Sequence, residues 1–205
     1  MKFIRETNRI YRLKVPFYSV YTSVFLIKTE TGNALMDCAT YDSDVDEHIL
    51  PALKEKGLSL DDINYLIISH NHSDHDGGKR RLLELNPNLQ VVQTVMPIFL
   101  QGIEILELKG HTLDCIGVLD VMGKTLITCD GLQGAGIKQY RCLLDSKEEY
   151  IKTIEKIKND KRIENILFSH AYEPWYKDSA KGREQVKKCL EDRIKEMQYE
   201  SNTNK

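Results

Sequence analysis

The 205-residue chain lacks most of the features that would commit it to several common classes of protein. Its five cysteines, Cys38, Cys115, Cys129, Cys142 and Cys189, are odd in number, widely spread and never in CxxC spacing. Neither a disulfide framework nor a thiolate zinc site is indicated, and buried, reduced thiols are expected. No run of about 18 apolar residues occurs, and the N-terminal "MKFIRETNRIYRLK" alternates charged and apolar residues without the apolar core of a secretion signal. A cytoplasmic protein that meets no membrane is expected. Basic charge is not in surplus: 29 Lys plus Arg stand against 31 Asp plus Glu, a net charge of -2. No positive field is therefore present to hold a nucleic-acid backbone. No low-complexity linker divides the chain, so a single domain over residues 1–205, with a frayed polar tail at about 199–205, is the simplest organisation.

What is present is an alternation of short apolar runs with amphipathic stretches, as in an α/β protein. "IYRLKV" and "SVFLIKTETGNALMDC" read as strands, the latter folded back around Gly32-Asn33. Ser43 and Asp46 have capping-box spacing before a helix that Gly57 ends, with Pro51 limiting where it begins. "INYLIIS", "LQVVQT", "IEILEL", "CIGVLDV", "TLITCD" and "IENILFS" read as further strands, and "KRRLLELN" as a short helix stopped by Asn86-Pro87. Ser146 with Glu149 caps a second amphipathic helix, and Val186, Leu190, Ile194 and Met197 mark the buried face of a terminal one. "INYLIISH" and "IENILFSH" echo each other, which suggests two similar helix-strand units.

Of six histidines, three lie within "HNHSDH", His70 to His75, directly after an apolar strand. Three strands run straight into a ligand-type residue: "NYLIIS" into His70, "TLITC" into Asp130 and "NILFS" into His170. His111 follows another strand, in "GHT". Loops leaving the C-terminal strand ends of an α/β sheet gather along one edge, so these residues can meet. Imidazoles clustered with carboxylates are costly to bury without a cation. His70, His72 and His111 would supply three nitrogen ligands to one ion. Asp74, His75 and His170 would serve a second, with Asp130 placed between them, leaving positions open for water as catalytic sites do. Only His48 is left over, in a helix role.

The order HxHxDH (His70 to His75), then "GHT" (His111), "TCDG" (Asp130) and "FSHAY" (His170), resembles the metallo-β-lactamase superfamily. The "MDC" turn at Met36 to Cys38 and the strand spacing add to the likeness over nearly the whole chain. The resemblance implies an α/β fold, the four-layer αββα sandwich of the metallo-β-lactamase type. It also implies a metal-dependent hydrolase with two divalent ions, zinc first and iron or manganese as alternatives, whose shared hydroxide cleaves an ester, thioester, lactone or phosphodiester. Asp74, besides binding metal, would orient the nucleophile or carry a proton. Two departures narrow the choice: the lactamases proper carry Cys or Ser where Asp130 stands and no histidine at position 75, and flavodiiron-type reductases carry an acidic residue at position 72. The remaining relatives are small-molecule hydrolases of the glyoxalase II and lactonase branches, with a small-molecule substrate and an oligomeric state left open, a dimer included. A mono-iron persulfide dioxygenase, for which Cys115 would matter, and a non-catalytic metal-binding protein are the alternatives. Lys138, Tyr140 and Arg141, and Tyr172 and Trp175, are candidate substrate contacts; Phe17, Tyr18 and Tyr21 could form a flap, with core packing the competing role.

Overall fold

A computed structural model describes residues 1–132, 144–171 and 177–202, with side chains to Met197. The chain divides into two compact units, Met1–Ile105 and Leu106–Lys205, and each has its own sheet and its own apolar core. Among the described residues no helix is long and apolar enough to cross a membrane.

The first unit is built on a six-stranded sheet in chain order: β1 (Ile4–Arg5), β2 (Ile10–Phe17), β3 (Val20–Thr29), β4 (Gly32–Met36), β5 (Tyr65–Ile67) and β6 (Gln90–Val92). The first four strands pair antiparallel, whereas β4, β5 and β6 run parallel. Register explains the pattern of apolar residues. Tyr11, Leu26, Leu35, Leu66 and Val91 oppose one another across five strands and pack with Ala52, Leu53 and Leu82 of the helices. The neighbouring row, Arg12, Phe25, Met36, Ile67 and Val92, points to the other face and is also buried. Both faces are therefore covered, which is why these strands read as nearly continuous apolar runs.

The expected helix after β4 is present but interrupted. It begins at α1 (Asp42–Asp44), widens into π geometry over Val45–Ile49 and resumes as α2 (Leu50–Glu55). Pro51 has no N–H to offer the preceding turn, and Leu50 N–H reaches back five residues to the Val45 carbonyl. The cap also differs from the expected Ser43 and Asp46 pair: Asp44 accepts from Thr40 N–H at 3.0 Å and Tyr41 N–H at 2.9 Å. His48 lies in the π turn. After β5 the chain forms a single helical turn, α3 (Ser73–Asp76), then α4 (Lys79–Leu85).

β7 (Ile103–Glu107) carries the chain out of the first unit. The second sheet is ordered β11-β10-β9-β8-β7, with β8 (Ile116–Asp120), β9 (Thr125–Cys129), β10 (Asn165–Phe168) and β11 (Ser179–Lys181). β9 and β10 are parallel, so their C-terminal ends point the same way. α5 (Lys147–Asn159) starts as expected, Ser146 Oγ accepting from Glu149 N–H at 3.2 Å, and buries Tyr150, Ile154 and Ile157. α6 (Arg183–Asn202) buries Val186, Cys189, Leu190 and Met197 and extends into the stretch read as a tail, whose residues 203–205 lie outside the described ones.

Candidate metal centre

In the first unit the ligand-type residues are organised by a residue at the end of β4. Asp37 is fully buried with φ +63, a left-handed conformation uncommon for a residue with a Cβ. Its carboxylate accepts from Ser69 N–H at 2.7 Å, from the Ser69 hydroxyl at 2.9 Å and from His75 Nδ1 at 2.7 Å. The Ser69 hydroxyl has one proton and gives it to Asp37, so its lone pair receives His70 Nδ1–H at 3.0 Å. One buried carboxylate thus sets the tautomer of two histidines, directly for His75 and through Ser69 for His70. Both rings then present Nε2 lone pairs, the form in which histidine binds metal.

The His75 lone pair faces a carboxylate and the His70 lone pair a neighbouring imidazole. His75 Nε2 lies 3.2 Å from Asp74 Oδ2, and His70 Nε2 lies 3.0 Å from His72 Nδ1. His70, Asp74 and His75 are buried and His72 is exposed. Asp74 and His75 come from α3, for which His72 is the N-cap residue, so this part of the motif is a helical turn rather than the open loop its alternation suggests. Thr22 of β3 donates to the Asp74 carbonyl at 3.0 Å, which ties the β2–β3 hairpin, close to its tip, to the turn. At the hairpin tip Phe17 and Tyr18 meet edge to face at 4.8 Å. Tyr18 is almost wholly exposed, with φ +49. Tyr21 is covered by Lys14 Nζ, 4.6 Å above its ring.

The second unit brings its three candidates together around one carboxylate. Asp130 Oδ1 lies 3.3 Å from His170 Nε2, and Asp130 Oδ2 lies 3.7 Å from His111 Nε2, with all three residues buried. An irregularity positions the aspartate: β9 and β10 pair regularly from Thr125 to Ile127, then the register shifts so that Phe168 meets Cys129. Thr128, the extra residue, turns its hydroxyl to the Leu132 carbonyl at 2.9 Å, and Cys129 takes φ +44. The bulge re-aims the residue that follows it, as bulges beside functional sites do.

The chemistry of these donors fits divalent metal. Within each unit, imidazole and carboxylate acceptors converge in buried surroundings at distances where they repel without a proton or metal ion between them. Nitrogen and oxygen ligands without thiolate suit zinc, iron and manganese. Two cysteines are engaged elsewhere: Cys115 is buried and receives the Thr112 hydroxyl at 3.2 Å. Cys38 donates its S–H to the His75 carbonyl at 3.2 Å, and burial pushes its thiol well above the ordinary range. Lys138, Tyr140, Arg141, Tyr172 and Trp175 lie outside the described residues.

The arrangement of strands and helices is shared with solved structures. A metallo-β-lactamase from Pontibacter korlensis covers 96% of this chain and 98% of its own with a TM-score of 0.71 at 16% identity. One from Hirschia baltica covers 93% and 96% with a TM-score of 0.68 at 20% identity. The chain is a metallo-β-lactamase-fold protein. Another metallo-β-lactamase-fold structure, FIM-1 from Pseudomonas aeruginosa in its mono-zinc form, covers 96% of both chains with a TM-score of 0.71 at 14% identity. At such identities the likeness carries the α/β fold alone. The family model described as the metallo-beta-lactamase superfamily matches residues 18–95 of this metallo-β-lactamase-fold chain, the stretch that includes His70 to His75. Hydroxyacylglutathione hydrolases of two Vibrio cholerae serotype O1 strains are 28% identical over 153 residues, 66% of this chain. The chain spans 58% of the length of those curated relatives.

Asp37, Ser69 and Thr22 were not singled out by the sequence pattern. Asp37 was nonetheless legible by the rule that found the others. β4 runs parallel to β5, and Asp37 follows its last residue just as a ligand-type residue follows β9 and β10.

Proposed function

We propose that this protein is a metal-dependent hydrolase acting on a small molecule, and that its ligand set is the union of the two clusters. His70, His72 and His111 would hold one divalent ion, Asp74, His75 and His170 a second, and Asp130 both, with zinc the first candidate. The observation that carries this reading is that each unit independently gathers buried imidazole nitrogens against a carboxylate, His75 with Asp74 and His170 with Asp130. Ions in such a site supply hydroxide near neutral pH, from water whose pKa falls from about 15.7 towards 7, and polarise the bond under attack.

The chain's own residues do the rest. Asp37 and Ser69 keep the protons of His75 and His70 on Nδ1 and so leave Nε2 available. Asp74 would orient the nucleophile and carry the proton released in attack, as a carboxylate whose backbone is fixed by Thr22. Burial of six of the seven residues excludes bulk water, which strengthens every charge interaction among them. An ester, thioester or lactone is the substrate class, and thioester is favoured because the curated relatives are named for hydrolysing hydroxyacylglutathione. No basic surplus supports nucleic acid as substrate.

Metal analysis of the purified protein, paired with hydrolysis of a panel of acyl thioesters, esters and lactones, tests the reading. Close to two divalent ions per chain and activity lost in His72→Ala and Asp130→Ala are expected. A folded protein that takes up no zinc, iron or manganese would sink it.

A further inference from the structure

His111 differs from the other candidate ligands in what holds it. His70, Asp130 and His170 leave the ends of parallel strands, but His111 sits in the turn between β7 and β8, away from a strand end. That turn is fastened to the start of α5. The Lys109 carbonyl accepts the Thr153 hydroxyl at 2.6 Å, the Gly110 carbonyl accepts Ser146 N–H at 3.1 Å, and the His111 carbonyl accepts Asp145 N–H at 3.1 Å. Asp145 Oδ2 closes the ring by accepting Leu113 N–H at 3.2 Å. Gly110, at φ +142, lets the two segments touch: a Cβ there would stand 2.5 Å from Tyr150 Cα.

Asp145 therefore holds the backbone at His111 and just after it, by its N–H on the histidine's own carbonyl and by its carboxylate on the N–H two residues further on. Among the described groups of this clamp, its carboxylate is the side-chain acceptor for the segment that follows the histidine. The bonds that 145 and 146 make to the His111 and Gly110 carbonyls are backbone bonds that any residue but proline could make. We infer that Asp145 is a positioning residue for the metal centre, fixing the backbone from His111 to Leu113 so that the His111 Nε2 stays directed at Asp130. This rests on the reading of His111 as a ligand. Residues that orient ligands change metal affinity by about 10–100-fold when lost, and Asp145 is exposed enough to be replaced without opening the core.

Zinc titration of the full chain against a competing chelator, beside thermal melting of the metal-free protein, separates positioning from mere stability. Asp145→Ala should weaken zinc binding at one ion by about tenfold or more. Asp145→Asn, whose amide oxygen can still accept Leu113 N–H, should restore most of it. Ser146→Ala removes the cap of α5 but keeps the backbone bond to Gly110, so it should lower the melting temperature and leave zinc affinity unchanged. If Asp145→Ala lowers the melting temperature but binds zinc as the parent does, the inference is overturned. If His111→Ala itself leaves zinc binding unaltered, the ligand assignment fails instead, and the inference with it.

Discussion

Asp37 Oδ2 and His75 Nδ1 meet at 2.7 Å with neither side chain reaching solvent. The same carboxylate also takes the Ser69 N–H and hydroxyl, so three groups from two segments depend on it. Asp37→Ala is expected to free the tautomers of both His75 and His70 and to weaken metal binding by about 10–100-fold. It should also leave the buried Ser69 N–H unsatisfied, at a cost of about 1–3 kcal/mol. Asp37→Asn keeps an oxygen acceptor and should fall between. Chelator competition and thermal melts read the two effects separately; a metal affinity unmoved in Asp37→Ala would remove its role.

How much of this was legible beforehand follows from the physics of each signal. The strands announce themselves because both faces are buried, and α5 because Ser146, Glu149 and the Tyr150, Ile154, Ile157 spacing agree. His70, Asp130 and His170 were legible as polar residues ending apolar runs. Asp37 carries the same strand-end signal, but it stands outside any histidine cluster, and its importance lies in contacts with Ser69 and His75, more than 30 positions away. α3 was hidden because four polar residues have no apolar periodicity to show. β1 and β11, at two and three residues, are set by their neighbours rather than by local pattern.

The Cys38 thiol is raised first by burial and further by the Asp37 and Asp76 carboxylates. A thiol whose folded pKa exceeds its unfolded value binds its proton more tightly when folded. Its stabilising contribution is complete below the unfolded value of about 8.5 and is lost as pH rises past it. Native Cys38 should therefore resist iodoacetamide at pH 8 while the denatured chain reacts, as mass mapping of the modified peptide can show. The fall in melting temperature at alkaline pH should be shallower in Cys38→Ala. Labelling of native Cys38 as fast as of a free thiol would contradict this.

Arg12 is fully buried on β2, its Nε 2.8 Å from Glu6 Oε1 and its guanidinium 4.8 Å from the Phe25 ring centre. Removing the acid takes the carboxylate from a buried guanidinium whose contact with the Ser23 hydroxyl, at 3.3 Å, carries no compensating charge, so Glu6→Ala should cost about 3 kcal/mol in denaturant unfolding. Replacing both partners with apolar residues, Arg12→Met with Glu6→Leu, should recover most of that loss. An equal loss in the double variant would mean that Arg12 is held chiefly by its other contacts.

The pair Gly77-Gly78 looks like a place where the chain needs glycine to turn, yet both residues are right-handed, with φ -62 and -80. Their requirement is space. A Cβ on Gly77 would lie 1.9 Å from the Thr40 carbonyl oxygen, and one on Gly78 would lie 2.3 Å from that of Cys38. Both obstacles are backbone, which cannot rotate aside as a side chain can. Gly57 is the opposite case: its φ is +71, but nothing lies within 4 Å of an added Cβ. Gly57→Ala should therefore cost only the left-handed penalty, about 1–2 kcal/mol, and leave metal binding intact. Gly77→Ala should cost more, about 3 kcal/mol, and should also weaken metal binding, because relief requires the 38–40 segment to part from the turn that carries Asp74 and His75. The comparison is made by melting both variants with and without zinc. A Gly77→Ala protein that is less affected than Gly57→Ala would show that backbone freedom, and not the close approach of Thr40, is what glycine provides there.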